Sequence, residues 1–514
     1  MAETTVEMAL TWALRDIEQF SRFILEKPLR QYQIAAARAV IQAVVGKQGG
    51  EFAWIFARQS GKNETVAQLI VYLLNLFEYE GGNIILTAPA RDQLSYSLTR
   101  IVGHLNNPLN GRGYRTRTEP DRVLWGQASL WLLSGDPHAR VRGATAHHLI
   151  VFDEAQDFSE QVGESVFGPM CAATNAVRLY MGTAKTSDAY LGKKRRELEE
   201  RQARDGRQRV FVNDYHVVGR EVAAYRLFVE GEIAKKGLGH PSVVMEFACQ
   251  EMDQAGTLFD QRRQAQLAGQ YEPYDAPLPG RIYAATLDVA GQDEFGGEGA
   301  RLENPNRDST VGWIWEVDMS QEQEMGGPVY KAVACFADQG SRHFDMEAGE
   351  WALNRRLLAW LQHWRVAHLV SDAGGVGLGL TNWLESQLGR ERVTGYVFNR
   401  ATKAKLGLEF LALNETGRVL MYAGDDDHAG TFWQEVRACT YEVPASGSLE
   451  TGMRWGVPAT ARQRVQGPEG KLVSRPIHDD YLMAAALVAV LERKTFGLAQ
   501  SMVVQAEPGW GDDY

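Results

Sequence analysis

Apolar and polar positions follow two different grammars along the chain. In the first half, short apolar runs alternate with longer stretches of helical period. Residues 52–57 (FAWIFA) form an unbroken apolar run, which predicts a strand buried on both faces. A Gly-Lys turn follows, and then Val66, Leu69, Ile70, Leu73, Leu74 and Phe77 fall on one helical stripe. Residues 83–89 (NIILTAP), 148–157 (HLIVFDEAQD) and 177–185 (VRLYMGTAK) repeat the strand pattern, and 122–134 (RVLWGQASLWLLS) reads as a hairpin. Such alternation predicts a mostly parallel sheet with both faces covered. After about residue 280 the pattern changes. Residues 281–291 (RIYAATLDVAG), 309–317 (STVGWIWEV) and 329–338 (VYKAVACFAD) predict three successive strands of an antiparallel meander. A helix at about 346–365, a strand at 368–372 (HLVSD), further helix and strand, and a strong helix at 478–494 come next.

The punctuation between these blocks suggests the domains. The first 20 residues carry acids within an apolar pattern, which predicts an amphipathic helix and not a signal peptide. The charge-dense stretch 192–209 (GKKRRELEERQARDGRQR) reads as a solvated helix face, or else as a DNA-facing or hinge element. The Gly/Pro/Tyr-rich stretch 267–280 reads as a linker. The expected division is therefore a first domain at 1–266, with a lid or linker region at about 192–266, a second domain at 281–495 and a loosely ordered tail at 496–514.

Composition narrows the class. With 514 residues and 45% hydrophobic content the chain can build two or three cores. Its formal net charge of -11 argues against a simple nucleic-acid coat protein, although a whole-chain sum hides local patches. Cys171, Cys249, Cys335 and Cys439 are scattered without a CxxC, so neither a zinc site nor a disulfide framework is indicated, and a reducing, cytosolic setting fits. No apolar run is long enough to span a bilayer.

Candidate chemistry begins at 56–64 (FARQSGKNE). A phosphate-binding loop needs inward-facing N–H groups, a lysine for the β- and γ-phosphates, and a helix N-terminus behind them. Arg58, Gln59, Ser60, Gly61, Lys62, Asn63 and Glu64 stand in that strand–turn–helix context. Ala57 replaces the usual first glycine, and Asn63 stands where Ser or Thr would ligate Mg²⁺, offering an amide oxygen instead. Asp153 and Glu154 end a later strand. The first suits a metal-linked acid, often acting through water, and the second a base that orients and deprotonates the attacking water. Gln33 or Gln31 is a candidate to read an adenine edge, Arg58 to approach the γ-phosphate, and Thr183 in "GTA" to sense its loss. Arg140 or Arg142 is a candidate arginine finger across a subunit interface, a local salt bridge being the alternative for either.

A second constellation lies in the other half. Asp288, Asp372 and the Asp479/Asp480 pair each end a predicted element. Right-handed crossover rules favour the fourth strand beside the first, which makes Asp288 and Asp372 neighbours. Converging carboxylates repel unless cations fill the gap, so two Mg²⁺ or Mn²⁺ ions are expected, clamping a phosphodiester. Asp308 and His478 are accessory candidates.

In this order, "RQSGK", "TAPARDQ", "VRGATAHHLIVFDEAQD", "GTA", "LDVAG", "SDAGG" and "HDD" make the chain resemble the large subunit of a tailed-bacteriophage terminase, over roughly residues 28–494. The resemblance implies an α/β chain: an N-terminal RecA/ASCE-like P-loop ATPase with a mainly parallel sheet, and a C-terminal RNase H-like nuclease with a mixed sheet. It implies ATP with Mg²⁺ at the first site and Mg²⁺ or Mn²⁺ at the second. Residue by residue it matches Arg58, Gly61 and Lys62 to the phosphate loop, Asp153 to the metal-linked acid, and Glu154 to the base. Thr183 falls in the coupling motif, and Asp288, Asp372 and Asp480, with Asp479 as alternative, match the nuclease acids. It further implies ATP-driven packaging of double-stranded DNA and cutting of the concatemer. The implied assembly is a homo-pentameric ring on the portal protein, with a small terminase subunit choosing the DNA. The implied place is the host cytoplasm, transiently on the procapsid and not in the mature virion, and no membrane is involved. Backbone contacts to DNA need a basic channel, for which Lys193, Lys194, Arg195 and Arg196 are candidates. Two other readings stay open: a helicase-like or repair ATPase fused to a nuclease, which calls for a second RecA-like domain, and a degenerate, non-catalytic assembly protein, which Asn63 alone supports.

Overall fold

Residues 52–56 are apolar on both faces because they lie inside a sheet, with a parallel neighbour on each side. The computed structural model describes residues 11–107, 110, 113–118, 121–136, 143–290, 308–339, 341, 343–345, 348–424, 426–445, 447–466 and 472–496. The chain divides into two compact units. The first is Met1–Gly256 with Tyr441–Arg454, and the second is Thr257–Thr440 with Trp455–Tyr514.

The first unit is built on an eight-stranded sheet. Its strands are β1 (Glu51–Phe56), β2 (Gly82–Ala88), β3 (Arg115–Thr118), β4 (Asp121–Trp125), β5 (Ala128–Ser134), β6 (Leu149–Phe152), β7 (Val177–Gly182) and β8 (Val210–Asn213). They lie in the order β3-β4-β5-β2-β6-β7-β1-β8. From β5 to β8 all pairings are parallel, and β3 and β4 extend the edge antiparallel. The hairpin expected at 122–134 is β4–β5. Both β1 and β6 run parallel to β7, with Ile55 opposite Gly182 and Phe152 opposite Tyr180. The loops after these three strands therefore open on one sheet edge. The helix Lys62–Leu76 buries nearly every side chain, more than the single stripe its sequence suggests, because it packs beneath the sheet and is covered by neighbouring helices.

The amphipathic helix expected over the first 20 residues is interrupted. Residues 11–13 are helical, and a new helix Ile17–Phe23 starts behind Asp16. Asp16 accepts a hydrogen bond from the Glu18 amide (2.8 Å) and holds Arg38 (2.8 Å), so a cap and an ion pair terminate the run. Residues 1–10 lie outside the described residues.

The second unit carries β9 (Tyr283–Asp288), β10 (Ser309–Asp318), β11 (Val329–Gln339), β12 (His368–Asp372), β13 (Val393–Tyr396) and β14 (Val419–Leu420), in the order β13-β12-β9-β10-β11-β14. The first three form the antiparallel meander, and β12 lies parallel to β9 as the crossover rule requires. The helix expected at about 346–365 is confined to Leu353–His363. The late helix spans Asp480–Ala486 and tightens into a 3₁₀ segment, Leu487–Arg493. Every residue from 480 to 491 is buried, and the Trp313 indole donates to the Tyr481 carbonyl (3.1 Å).

The stretch expected to link the domains is itself tied to this unit. The Gly269 amide donates to the Met421 carbonyl (2.7 Å), the Tyr274 amide to that of Val333 (2.8 Å), and the Tyr271 hydroxyl reaches the Ala332 and Leu420 carbonyls. Just before it, Arg262 and Arg263 both grip Glu415, at 2.6 and 2.7 Å, and the Glu415 side chain is 1% exposed. Breaking a buried pair of this kind costs about 3–5 kcal/mol. The helix Gln261–Leu267 thus belongs with the second unit. Residues 497–514, which include nearly all of the expected tail, lie outside the described residues.

Candidate active sites

After β1, residues 57–61 make a tight loop that ends at the helix Lys62–Leu76. Gln59 (φ 60°) and Gly61 (φ 89°) adopt left-handed backbone. A side chain at Gly61 would run into Gln33, whose Nε2 donates to the carbonyls of Ser60 (3.4 Å) and Gly61 (3.2 Å). Gln33 Oε1 accepts from the Arg30 amide (2.9 Å), and the Tyr32 hydroxyl also donates to Ser60. Gln33 is therefore buried behind the loop and braces it. Its carboxamide is occupied there, whereas the sequence placed Gln33 at an adenine edge. Gln31 is exposed, with its amide on Glu221 (2.9 Å).

Across the sheet edge, β6 ends at Phe152 and the chain turns sharply. Glu154 sits at φ 51°, ψ 48°. Left-handed backbone at a non-glycine residue costs roughly 1–2 kcal/mol, and here it accompanies a specific contact. Glu154 Oε1 lies 2.9 Å from Lys62 Nζ, and the lysine side chain is only 9% exposed. Gln156 Nε2 donates to Glu154 Oε2 (2.7 Å). Gly182, at the end of β7, leaves the space this needs, because a Cβ there would collide with the Gln156 carboxamide. The "GTA" stretch is in this way packed against the group that orients Glu154. Asp153 is buried, accepts from the Glu154 amide (3.0 Å), and has Ser97 Oγ at 3.4 Å.

The charges are interdependent. Burial pushes the Asp153 carboxyl up to about 6, with Lys62 opposing and Glu154 adding to the shift. For Glu154 burial is outweighed by Lys62, Gln156 and Arg58, and its pKa is lowered. Burial of Lys62 is outweighed by Glu154 and Asp153, and its pKa is raised. A cavity of about 320 Å³ opens here, bounded by Arg58, Lys62, Asn63, Glu64, Glu154 and Thr183. Asp153 does not line it. Asn63 does. Ser60 Oγ is buried without a hydrogen-bond partner. Arg58 Nη1 is held by both oxygens of Glu246, at 2.9 and 2.8 Å. Its expected approach to a γ-phosphate requires leaving that carboxylate. Arg140 and Arg142 lie outside the described residues.

Glu64 was expected only as part of the loop, and it forms a hub. It meets His104 Nε2 (2.7 Å), Gln68 Nε2 (2.8 Å), Lys27 Nζ (3.0 Å) and Arg100 Nε (3.7 Å). Burial, which raises its pKa, is overcome by His104, Gln68 and Lys27, and the value falls from 4.5 to about 2. A depressed carboxyl stabilises the fold above its unfolded pKa and loses that contribution as pH falls toward its folded one. Glu64→Gln is expected to lower stability at pH 7 by on the order of 1–2 kcal/mol, after allowance for solvent screening. Chemical denaturation at several pH values checks this: the gap to wild type should close between about pH 4.5 and pH 2.

In the second unit, β9 and β12 pair in parallel with Leu287 opposite Ser371, so Asp288 and Asp372 end adjacent strands. Asp480 begins the buried late helix, and its Oδ2 accepts from the Ser309 amide (2.6 Å). Burial raises Asp288 well above an ordinary carboxyl, and Asp480, Asp372 and Asp479 add to it. Burial also raises Asp372, against a hydrogen bond from the Gly374 amide, and raises Asp480 to about 7 with help from Asp308 and Asp479. The carboxyl of Asp288 thus lies in a field of neighbouring acids only partly offset by Lys403, an oxygen-rich setting that fits hard divalent cations. The tightest three-ligand set among the described residues is a different one: Asp308, His478 and Asp480, with ligand atoms within 4.8 Å of one another. His478 Nδ1 is 2.8 Å from Asp308 Oδ1. Asp479 pairs with Lys403 (3.2 Å) and so is partly neutralised.

The sequence reading missed one acid here. Glu435, on the helix Asp427–Ala438, is 2% exposed, and its Oε2 accepts from the Leu482 amide (2.8 Å). Asp479 precedes the helix of Asp480 without capping it. Glu435 satisfies that first turn from another helix and leaves the Asp479 and Asp480 carboxylates for other partners. Burial holds its pKa well above the usual range, and Asp480, Asp479 and Asp288 contribute. A signal was present: Glu435 lies on the buried stripe of Ala429, Phe432 and Val436.

The basic run 193–196 is not an open cationic strip. Lys193 pairs with Glu160 (2.7 Å), Lys194 with Glu164 (2.6 Å), Arg195 with Glu199 (2.8 Å) and Arg196 with Glu251 (3.5 Å). Near neutralisation by local acids removes the reason to assign these four to a DNA channel. Their helix, Tyr190–Asp205, packs on the sheet through Tyr190, Leu191 and Leu198. The four cysteines are unpaired, and among the described residues no helix is long and apolar enough to cross a membrane.

No family profile matches the chain, and no curated protein does. Solved structures similar to it include phage large terminases. One from a thermophilic bacteriophage is 12% identical, covers 90% of this chain and 98% of its own, and has a TM-score of 0.43. That of bacteriophage HK97 is 11% identical over 93% and 99%, with a TM-score of 0.40. The large terminase nuclease from thermophilic phage G20c with bound magnesium is 19% identical over 46% and 96%, with a TM-score of 0.27. None of these superpositions reaches a TM-score of 0.5, and the chemistry of the two sites stands on the side chains described above.

Proposed function

We propose that the chain is a terminase large subunit, an ATP-driven motor that packages double-stranded viral DNA, joined to a metal-dependent endonuclease that cuts the concatemer. The observation that carries this is the pairing, in one chain, of two unlike acidic sites. A lysine–glutamate pair lies on the open edge of a parallel sheet, and an acid cluster lies on a mixed sheet whose first strand runs between its second and fourth.

At the first site Lys62 is neutralised by Glu154. An incoming triphosphate competes for the lysine, and Glu154 is released to orient and deprotonate water. Gln156 keeps the glutamate aimed during this exchange. Asn63 and, through water, Asp153 would hold the Mg²⁺ of ATP. At the second site Asp288, Asp372 and Asp480 would hold divalent ions, with Asp308 and His478 beside them. Bound there, the ions would supply Lewis acidity and charge neutralisation for phosphodiester hydrolysis. The role of Glu435 is to set the angle of the helix that carries Asp480.

The second unit has a meander where a helicase would have another parallel RecA-like sheet, which disfavours the helicase-like or repair reading. DNA contact is proposed through the backbone, without base reading. The exposed Arg462 and Arg464 on the hairpin Arg462–Gln466/Leu472–Pro476, just before His478, suit that contact better than 193–196. A pentameric ring on the portal, a small subunit that selects DNA, and action in the host cytoplasm on the procapsid follow from the same reading.

Purified protein is expected to hydrolyse ATP with Mg²⁺, to nick plasmid with Mn²⁺, and to fill procapsids bearing the matching portal. ATP turnover and nicking without filling would leave the enzyme assignments and remove the motor. Absence of both activities would favour the non-catalytic assembly reading.

A further inference from the structure

Two arginines border the first-site cavity, and they differ in how firmly they are held. Arg58 is committed to Glu246 through two short contacts. Arg100 comes from the helix Arg91–Leu105, which follows β2, and it lines the same cavity. Its side chain is 43% exposed. Among the described residues its one ion pair is Nε to Glu64 Oε2 at 3.7 Å, beyond hydrogen-bond range. Glu64 is already served by His104, Gln68 and Lys27 at 2.7 to 3.0 Å. The guanidinium of Arg100 is therefore only loosely tied and keeps donors for a ligand in the cavity.

The position explains a second oddity. Glu64 lies in the first turn of the helix whose N-terminus faces the cavity, where a carboxylate opposes anion binding. Lys27 and Arg100 offset that carboxylate. Asn63 also offers a metal only a neutral amide oxygen, so an additional cation compensates for a weaker hold on the polyphosphate.

We propose that Arg100 is a polyphosphate-contacting residue acting within its own subunit, its guanidinium moving from Glu64 to the phosphates of bound ATP. This rests on the reading of the cavity as an ATP site. A planar guanidinium matches phosphate in a two-pronged geometry that lysine does not reproduce. The bland competitor is a solvated ion pair with Glu64, which contributes little to anything.

The test uses the full chain, Mg²⁺ and a fluorescent ATP analogue, with wild type, Arg100→Ala, Arg100→Lys and Lys62→Ala side by side. Arg100→Ala should weaken analogue binding by about tenfold or more, the loss expected for one charge-assisted hydrogen bond. KM for ATP should rise by a similar factor while kcat changes less, and Arg100→Lys should recover part of the affinity. Melting of the nucleotide-free protein should stay near wild type. If wild type binds and Lys62→Ala does not, but Arg100→Ala binds like wild type, the proposal is overturned and the ATP site stands. If wild type fails to bind, both fall together.

Discussion

Glu154→Gln is expected to keep its fold and its nucleotide while ATP turnover drops by about 10²–10⁴-fold, the range for loss of a general base. Glutamine is the informative replacement. The carboxamide oxygen still accepts a hydrogen bond from Lys62 Nζ, now 2.9 Å from Glu154, and still has Gln156 beside it. Alanine would leave the nearly buried Lys62 ammonium without its partner, and such orphaned charge destabilises by about 3–5 kcal/mol. A slow alanine variant would then report damage as readily as chemistry. Single-turnover hydrolysis alongside equilibrium binding separates the two. Wild-type turnover in Glu154→Gln would remove Glu154 from the base role.

Asp288→Asn is expected to reduce DNA nicking by at least about 10²-fold while ATP hydrolysis continues. It should also stabilise the metal-free protein. Asp288 is raised by burial and by Asp480, Asp372 and Asp479, so its charge is repelled in the fold and relaxed in the unfolded chain. Removing it should raise the melting midpoint at neutral pH by a few degrees, about 2–5 °C. The sign with pH follows from the same shifts. Native carboxyls with raised pKa values bind more protons than unfolded ones, so stability falls as pH climbs above 3.8, and for Asp480 the fall continues to about 7. Mn²⁺ should reverse the loss in wild type and do so less in Asp288→Asn. Thermal melts with and without Mn²⁺ read both effects, and an identical metal response in the two proteins would remove Asp288 from the ion site.

Much of this was legible in the sequence because it is local. A strand, a Gly-Lys turn and a helix stand within 26 consecutive residues from Glu51 to Leu76, so Lys62 could be singled out from local context, with the Asp153-Glu154 strand end as its support. Acids at strand ends were legible for the same reason, and pairing rules brought Asp288 beside Asp372. Partnership between distant side chains was not legible. Lys193 to Arg196 read as a basic run until Glu160, Glu164, Glu199 and Glu251 come to meet them. Gln33 looked available to a base until the loop carbonyls claimed it. Arg100 and Glu435 lie outside the quoted motifs, and only tertiary packing brings the first to the cavity and the second under Leu482. Nothing in the composition of 441–454 marks it as returning to the first unit, because membership there is set by long-range contacts.

That return has a topological consequence. The backbone passes between the units three times, at Gly256/Thr257, Thr440/Tyr441 and Arg454/Trp455. A single protease nick at Gly256/Thr257 does not free the halves, because the 441–454 excursion stays packed in the first unit while its ends remain covalent with the second. A recombinant fragment stopping at residue 256 lacks the Gly447 carbonyl that receives Lys185, two positions past Thr183. Separating the two units therefore takes scission at several points, and an N-terminal piece ending at residue 256 would lack the 441–454 segment that packs beside Lys185.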